Sequence, residues 1–244
     1  MASLSRTRAT LATTALLGLA SIGGHVVGAG EGSWSPGSFA LATVLAIGGA
    51  LVFVRGHALG AAVLVLILTV GARADISLRH TLMTGADTTL AGGLLAGWLL
   101  GWLLLRTERG AHEAACGVLG AALTLAAVAK LRASGLEWVD GPTQALAVYV
   151  RGLGAPGPLA TLRGWLALHP TLCAVGAAGT LLVESAGVLY AVPRFRGAYA
   201  WGVVAMFVGL ALGFGAFQPA WVVAALGLAR GPTPAAARST ASRS

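Results

Sequence analysis

The chain has 244 residues, of which 57% are hydrophobic and only 10% are charged, and its mean hydropathy is +0.82. Because average proteins are about 25% charged, this composition excludes a soluble globular domain and indicates an integral membrane protein. The formal charge of +8 comes from basic residues that are spaced between apolar segments. They form no basic run, and no aromatic platform lies beside the arginines. This distribution is typical of membrane orientation signals and not of nucleic acid binding.

The amino-terminal half contains four apolar runs that predict transmembrane helices, at residues 9–28, 38–54, 58–71 and 88–105. The first run follows Arg6 and Arg8, and its length of about twenty residues favours a retained span. A cleaved secretory signal is the alternative. The fourth run carries Gly93, Gly97 and Gly101 at four-residue spacing, which predicts a flat helix face for close packing and not a binding site.

The carboxy-terminal half contains further apolar runs at residues 111–131, 171–192 and 198–216, and a shorter one at 220–228. Between the fifth and sixth spans, the short amphipathic pieces 143–150 and 159–168 predict interfacial or re-entrant helices. The fold class predicted is therefore all-α, a polytopic transmembrane bundle of about seven or eight spans. We expect a single transmembrane helical domain over residues 1–230 and a disordered cytoplasmic tail over 231–244.

Basic residues predict the orientation of this bundle. Of the 16 Lys and Arg residues, ten fall on the side of the amino terminus, including Arg196 in a turn after the sixth span. Six fall on the opposite side, including Lys130, Arg151 and Arg163. Because cytoplasmic loops carry the excess of basic residues, we expect the amino terminus in the cytoplasm.

The candidate site is built from the few ionisable residues that lie in or beside the apolar runs. Lys130 ends an uncharged stretch of the fifth span, and Glu184 lies in the middle of the sixth. Ionisable residues at such positions are costly and usually functional or snorkelling, and a desolvated lysine can serve as a base toward a lipid-soluble substrate. The alternative is structural: Lys130 forms an ion pair with Glu184 or with an acidic residue of an outer loop, and Arg79 does the same with Asp87.

Several catalytic and metal-binding classes lack support in the sequence. His112 and Glu113 have no second histidine at the spacing of a zinc protease, and we predict no metal site. Cys116 and Cys173 lie in apolar stretches without CxxC spacing, which gives neither a redox motif nor a zinc site. No Walker loop, nucleophile elbow or dinucleotide-binding fingerprint is present.

Three stretches together resemble one membrane family. Residues 128–131 (Val-Ala-Lys-Leu) and 137–141 (Glu-Trp-Val-Asp-Gly) are similar to the lysine-leucine, tryptophan and glycine signature of the vitamin K-dependent gamma-carboxylase and HTTM (horizontally transferred transmembrane domain) family. Residues 77–87 resemble the loop before a mid-chain span of that family. Residues 182–187, with the arginines that follow, resemble its glutamate-bearing helix. The resemblance covers residues 73–217 and the membrane core only, as in a bacterial-style HTTM protein, and it implies a bacterial plasma membrane.

The resemblance implies a role for the matched lysine. In carboxylases of this family that lysine is the base proposed to deprotonate reduced vitamin K, a role that would fall on Lys130. It also implies a quinone cofactor, such as menaquinone or vitamin K hydroquinone. Phe207 stands where the carboxylases have a histidine.

From the residues and the resemblance we expect a quinone- or lipid-linked membrane enzyme in which Lys130 is the base and Glu184 its catalytic partner. The expected substrate-binding residues, all on the outer side, are Arg79, His80, Asp87, Trp138 and Asp140. The expected partners are the lipid bilayer, a quinone or lipid ligand and other membrane subunits, with no nucleic acid. Two alternatives remain open: a non-catalytic membrane subunit or anchor that packs through glycine-rich helices, and a DoxX-like redox partner or small transporter.

Overall fold

The computed structural model describes residues 6–29, 35–75, 85–216 and 218–231, and these ranges contain helices and turns but no strand. In chain order the helices are α1 (Arg6–Ala29), α2 (Pro36–Val54), α3 (Ala58–Asp75), α4 (Gly85–Leu105), α5 (Glu108–Ser134), a 3₁₀ segment (Gly135–Val139), α6 (Gly141–Gly152), α7 (Gly157–Ala167), α8 (Pro170–Ser185), a second 3₁₀ segment (Ala186–Ala191), α9 (Pro193–Phe214) and α10 (Pro219–Ala229). The all-helical fold class is confirmed.

Five helical stretches of the described ranges are long and apolar enough to cross a membrane, judged by length and composition. They are Gly37–Val54, Asp87–Leu105, Glu108–Val139, Pro170–Ala191 and Pro193–Phe214. Two shorter helices, Ala58–Gly71 and Pro219–Ala229, are also apolar. These helices support an integral membrane protein, as the composition predicts.

The chain divides into two compact units. Unit 1 comprises Met1–Leu119 and Pro219–Ser244, and unit 2 comprises Gly120–Gln218. The predicted disordered tail, apart from Gly231, lies outside the described residues.

In unit 1, α1 packs against α2, α4 and α10, and α3 packs against α2 and α4. The largest side chain at the centre is Trp98, whose ring meets the edge of Phe53 at a centroid distance of 4.8 Å. Two glycines of the strip on α4, Gly97 and Gly101, have the packing role that their spacing predicts. A Cβ atom on Gly101 would lie 2.8 Å from the carbonyl oxygen of Gly110, so only glycine lets α4 approach the start of α5 this closely.

In unit 2, the end of α5 continues into the first 3₁₀ segment and then into α6, and α6 packs against α7, α8 and α9. The short pieces predicted at 143–150 and 159–168 are found as α6 and α7. The sixth predicted span differs from the structure, because its α-helix ends at Ser185 and residues 186–191 form a 3₁₀ segment. At this change Gly187 contacts Gly120 of α5 so closely that a Cβ atom on Gly187 would lie 2.6 Å from the Thr124 hydroxyl.

Candidate functional site

Lys130 and Glu184 form a hydrogen-bonded ion pair in unit 2. Lys130 lies in the last two turns of α5, where the uncharged stretch ends, and its long side chain reaches the last turn of α8, where Glu184 lies. The Glu184 side chain is only 6% exposed and that of Lys130 is 21% exposed. This contact is the one that the structural alternative predicts. A catalytic role for the two residues stays a prediction.

Trp138 lies against the same pair. Its ring centroid is 5.1 Å from Lys130 Nζ, which is within the range of a cation–π contact. The first 3₁₀ segment carries Trp138, and the Gln144 side-chain amide donates to the Trp138 carbonyl oxygen at 2.7 Å. The predicted site residues Lys130, Trp138 and Glu184 therefore lie together. Gln144, which fixes the backbone of the tryptophan, was not predicted, because its partner is a main-chain carbonyl that leaves no sequence signal.

A cavity of about 590 Å³ lies within unit 2. Trp138 and Gln144 line one part of it, with Val148 of α6 and Leu162 and Leu166 of α7. The facing helices α8 and α9 contribute glycines, namely Gly176, Gly179, Gly202, Gly209 and Gly213. Its size is that of a small-molecule site, and its lining is mostly apolar with a few polar groups, as such sites usually are.

The glycines make room for this cavity. A Cβ atom on Gly176, Gly179, Gly202 or Gly209 would meet no atom within 4 Å. These glycines therefore do not serve close helix packing, in contrast to Gly101 and Gly187. The sequence did not distinguish the two kinds of glycine, because both occur inside apolar helices.

Tyr199 and Arg196 hold the end of α8 and the second 3₁₀ segment. The Tyr199 hydroxyl donates to the carbonyl oxygen of Val183, and Arg196 Nε donates to that of Tyr190 at 2.8 Å. Both carbonyls lie where the α-helical hydrogen-bond pattern changes. Arg196 was predicted to lie in a cytoplasmic turn as an orientation signal, yet the structure buries it to 3% exposure.

Arg163 of α7 is also buried, although it was predicted on the outer side among the orientation signals. Its guanidinium donates to the carbonyl oxygens of Leu212 at 2.8 Å, of Arg151 at 2.9 Å and of Ala211 at 3.2 Å. The last carbonyls of a helix have no partner within it, so Arg163 satisfies the end of α9 and fixes it to α7. The left-handed Gly215, at φ +71°, ends α9 beside this arginine.

Asp140 has a local role at the start of α6. Its Oδ2 atom accepts from the Thr143 amide at 2.9 Å and from the Thr143 hydroxyl at 2.6 Å, which is the geometry of a helix N-cap. Both hydrogen bonds lower the pKa of Asp140 below its usual value, and the bond from the Thr143 hydroxyl has the larger effect. Asp140 is exposed, and its predicted contact with substrate stays a prediction.

The remaining predicted substrate-binding residues belong to another part of the chain. Asp87 is a buried residue of unit 1, at the start of α4, and its carboxylate accepts from the backbone of Ala220. Arg79 and His80 lie outside the described residues. The predicted ion pair between Arg79 and Asp87 thus stays a prediction.

Unit 1 contains a polar cluster that was not predicted. Arg8 is buried, forms an ion pair with Glu108 and lies 5.1 Å from the Trp98 ring. His112 is fully buried, with Nδ1 2.9 Å from the Thr7 hydroxyl and Nε2 3.5 Å from Cys116 Sγ. Among the described residues, no three His, Cys, Asp or Glu side chains converge as metal ligands.

No protein-family model matches the chain, and searches of curated proteins and of solved structures find no significant similarity.

Proposed function

We propose that this protein binds a lipophilic molecule, a quinone or a lipid, in the cavity of unit 2, and that it is a membrane enzyme in which Lys130 takes up or delivers the proton. The observation that carries the proposal is the cavity itself, because it lies against α8 and α9, two helices suited to cross a membrane. A ligand dissolved in the bilayer can enter such a site without crossing water. Trp138 supports the role of Lys130, because it both lines the cavity and contacts the lysine.

The membrane arrangement belongs to the same proposal. The five long apolar helices, together with α1, α3 and α10, would give eight spans, the larger of the two numbers expected from the sequence. The amino terminus would lie in the cytoplasm, and the host membrane would be a bacterial plasma membrane. We also propose that the chain belongs to the HTTM family and contains its membrane core. The lysine, tryptophan and glycine signature at residues 128–141 supports this.

The first experiment is native mass spectrometry of the protein extracted with its native lipids, applied to three forms. Gly209→Leu places a side chain on the cavity-lining face of α9. Gly197→Leu is the matched control, because Gly197 lies on the same helix, is equally open and does not line the cavity. We expect wild type and Gly197→Leu to retain a small lipophilic molecule that Gly209→Leu loses. Equal retention by all three forms would contradict the proposal.

A second candidate function is favoured by the ion pair. Lys130 and Glu184 bond to each other. In this second function the ion pair has a purely structural role: it joins α5 and α8 in a non-catalytic membrane subunit. In that case the wild-type protein would travel with companion chains, and native mass spectra would show no small ligand whose retention depends on Gly209.

A further inference from the structure

The cavity and the ion pair are neighbours that Trp138 separates. Neither Lys130 nor Glu184 lines the cavity, whereas Trp138 lines it and also lies over Lys130 Nζ. The backbone of Trp138 is held by Gln144, but no residue of its 3₁₀ segment is buried. The segment begins at Gly135, whose φ of +57° favours glycine. Trp138 is therefore the residue through which a ligand in the cavity would meet the ion pair.

Two polar atoms beside this boundary have unmet hydrogen-bonding capacity. In the described part of unit 2, the buried side-chain nitrogen and oxygen atoms without a hydrogen-bond partner are Trp138 Nε1 and Glu184 Oε2. Both belong to groups that contact Lys130. Because buried polar atoms normally have partners, one unmet donor and one unmet acceptor around the same ammonium group indicate a ligand group that can satisfy both.

The charges restrict the chemistry of that group. The lysine and the glutamate compensate each other, and the residues that line the cavity include no Lys, Arg, Asp or Glu. A phosphate or carboxylate head would face the Glu184 carboxylate, and a quaternary ammonium head could not donate to it. A hydroxyl is the smallest group that both donates and accepts a hydrogen bond.

We propose that the cavity takes a single-tailed lipid whose uncharged head carries a hydroxyl group, which donates to Glu184 Oε2 and accepts from Trp138 Nε1. Its tail lies between the glycine faces of α8 and α9. The inference rests on the proposed function in one respect, that the cavity binds a lipophilic molecule. It adds the class of head group, which excludes phospholipids and lipid anions.

Four probes that each contain a ten-carbon chain test the head group: decanol, decyl methyl ether, decanoate and decyltrimethylammonium. Apparent dissociation constants come from native mass spectrometry at increasing probe concentrations. Because a hydrogen bond to a charged group is among the stronger ones in proteins, decanol should bind about tenfold more tightly than the ether. Decanoate and decyltrimethylammonium should bind more weakly than decanol by at least the same factor.

Variants assign the preference to the ion pair. In the double variant Lys130→Met/Glu184→Leu, decanol and the ether should bind with about equal dissociation constants, because the buried ion pair is replaced by apolar side chains. The decyl tail should still bind. Glu137→Gln is the control, because Glu137 is an exposed carboxylate of the same 3₁₀ segment, and it should keep the preference. Gly209→Leu should weaken all four probes.

The outcomes separate the two proposals. One outcome is that binding depends on Gly209 but the ether or decanoate binds as tightly as decanol. That result overturns the head-group inference and leaves the proposed function standing. The head-group inference is also overturned if the double variant keeps the preference for decanol. If no probe binds, or if Gly209→Leu changes nothing, the proposed function itself fails.

Discussion

The stability of the Lys130–Glu184 pair can be predicted from its burial. Removing one partner leaves the other charge without compensation, which costs about 3–5 kcal/mol for a buried pair. The Glu184 side chain is 6% exposed, so Lys130→Met should fall in this range, whereas Lys130 is 21% exposed and can be partly hydrated. Glu184→Leu should therefore be the milder change, near about 3 kcal/mol.

The double variant Lys130→Met/Glu184→Leu should behave differently from either single variant. Replacing a buried ion pair by apolar residues of similar size is often neutral or stabilising, so we expect a free energy of unfolding within about 1 kcal/mol of wild type. The assay is unfolding by sodium dodecyl sulfate in mixed micelles, followed by tryptophan emission. Arg132→Met and Glu137→Gln alter exposed charges nearby and should change stability by less than about 0.5 kcal/mol.

If the free-energy losses of the two single variants simply add in the double variant, the two side chains do not compensate each other and the prediction is wrong. A wild-type-like Lys130→Met would refute it as well, since Glu184 would then tolerate burial without the lysine.

Three further predictions concern the elements that surround the site. Arg163→Met should destabilise unit 2 by about 2–3 kcal/mol in the same unfolding assay, because the carbonyls at the end of α9 lose a charged donor; equal stability of Arg163→Met and the exposed Arg151→Met would contradict this. Gly187→Ala should cost about 1–3 kcal/mol by overpacking against Thr124, while Gly197→Ala, where a Cβ atom meets nothing, should be neutral or slightly stabilising. The lowered pKa of Asp140 means that its N-cap contributes fully above the ordinary aspartate value of about 3.9 and is lost as the pH falls through the lower folded value. Protection of the Thr143 amide from hydrogen exchange should therefore decrease in acid for wild type, and Asp140→Asn should remove that pH dependence; an unchanged dependence in Asp140→Asn would show that another group titrates.

Element positions were largely predictable because their signals are local. Apart from the end of the sixth span, the ends of the apolar runs fall within about five residues of the helix ends, where prolines begin α2, α8, α9 and α10 and Gly215 ends α9. The two short helices between the fifth and sixth spans were also found from amphipathic pattern and length. The second 3₁₀ segment was not predicted; it includes the contact of Gly187 with α5, which joins residues distant in sequence.

The site was predictable only in part. Lys130 and Glu184 stood out because each is a lone charge near apolar sequence, and the structure joins them. Arg163 and Arg196 have the same sequence signal as exposed orientation charges, but their partners are backbone carbonyls that a single sequence does not reveal. The cavity depends on which glycine faces of α8 and α9 are turned toward α6 and α7, and this follows from packing and not from spacing.

Photolabelling would locate a lipophilic ligand in the cavity of unit 2. A ten-carbon alcohol with a diazirine in its tail would be irradiated with the protein in its native lipids, and the labelled residues would be mapped by peptide mass spectrometry. We expect labels on the cavity-lining faces of α8 and α9, for example at Met206 and Thr180, that Gly209→Leu removes and Gly197→Leu keeps. Labels confined to outward-facing side chains such as Val175 and Leu182, in the same pattern for all three forms, would contradict it.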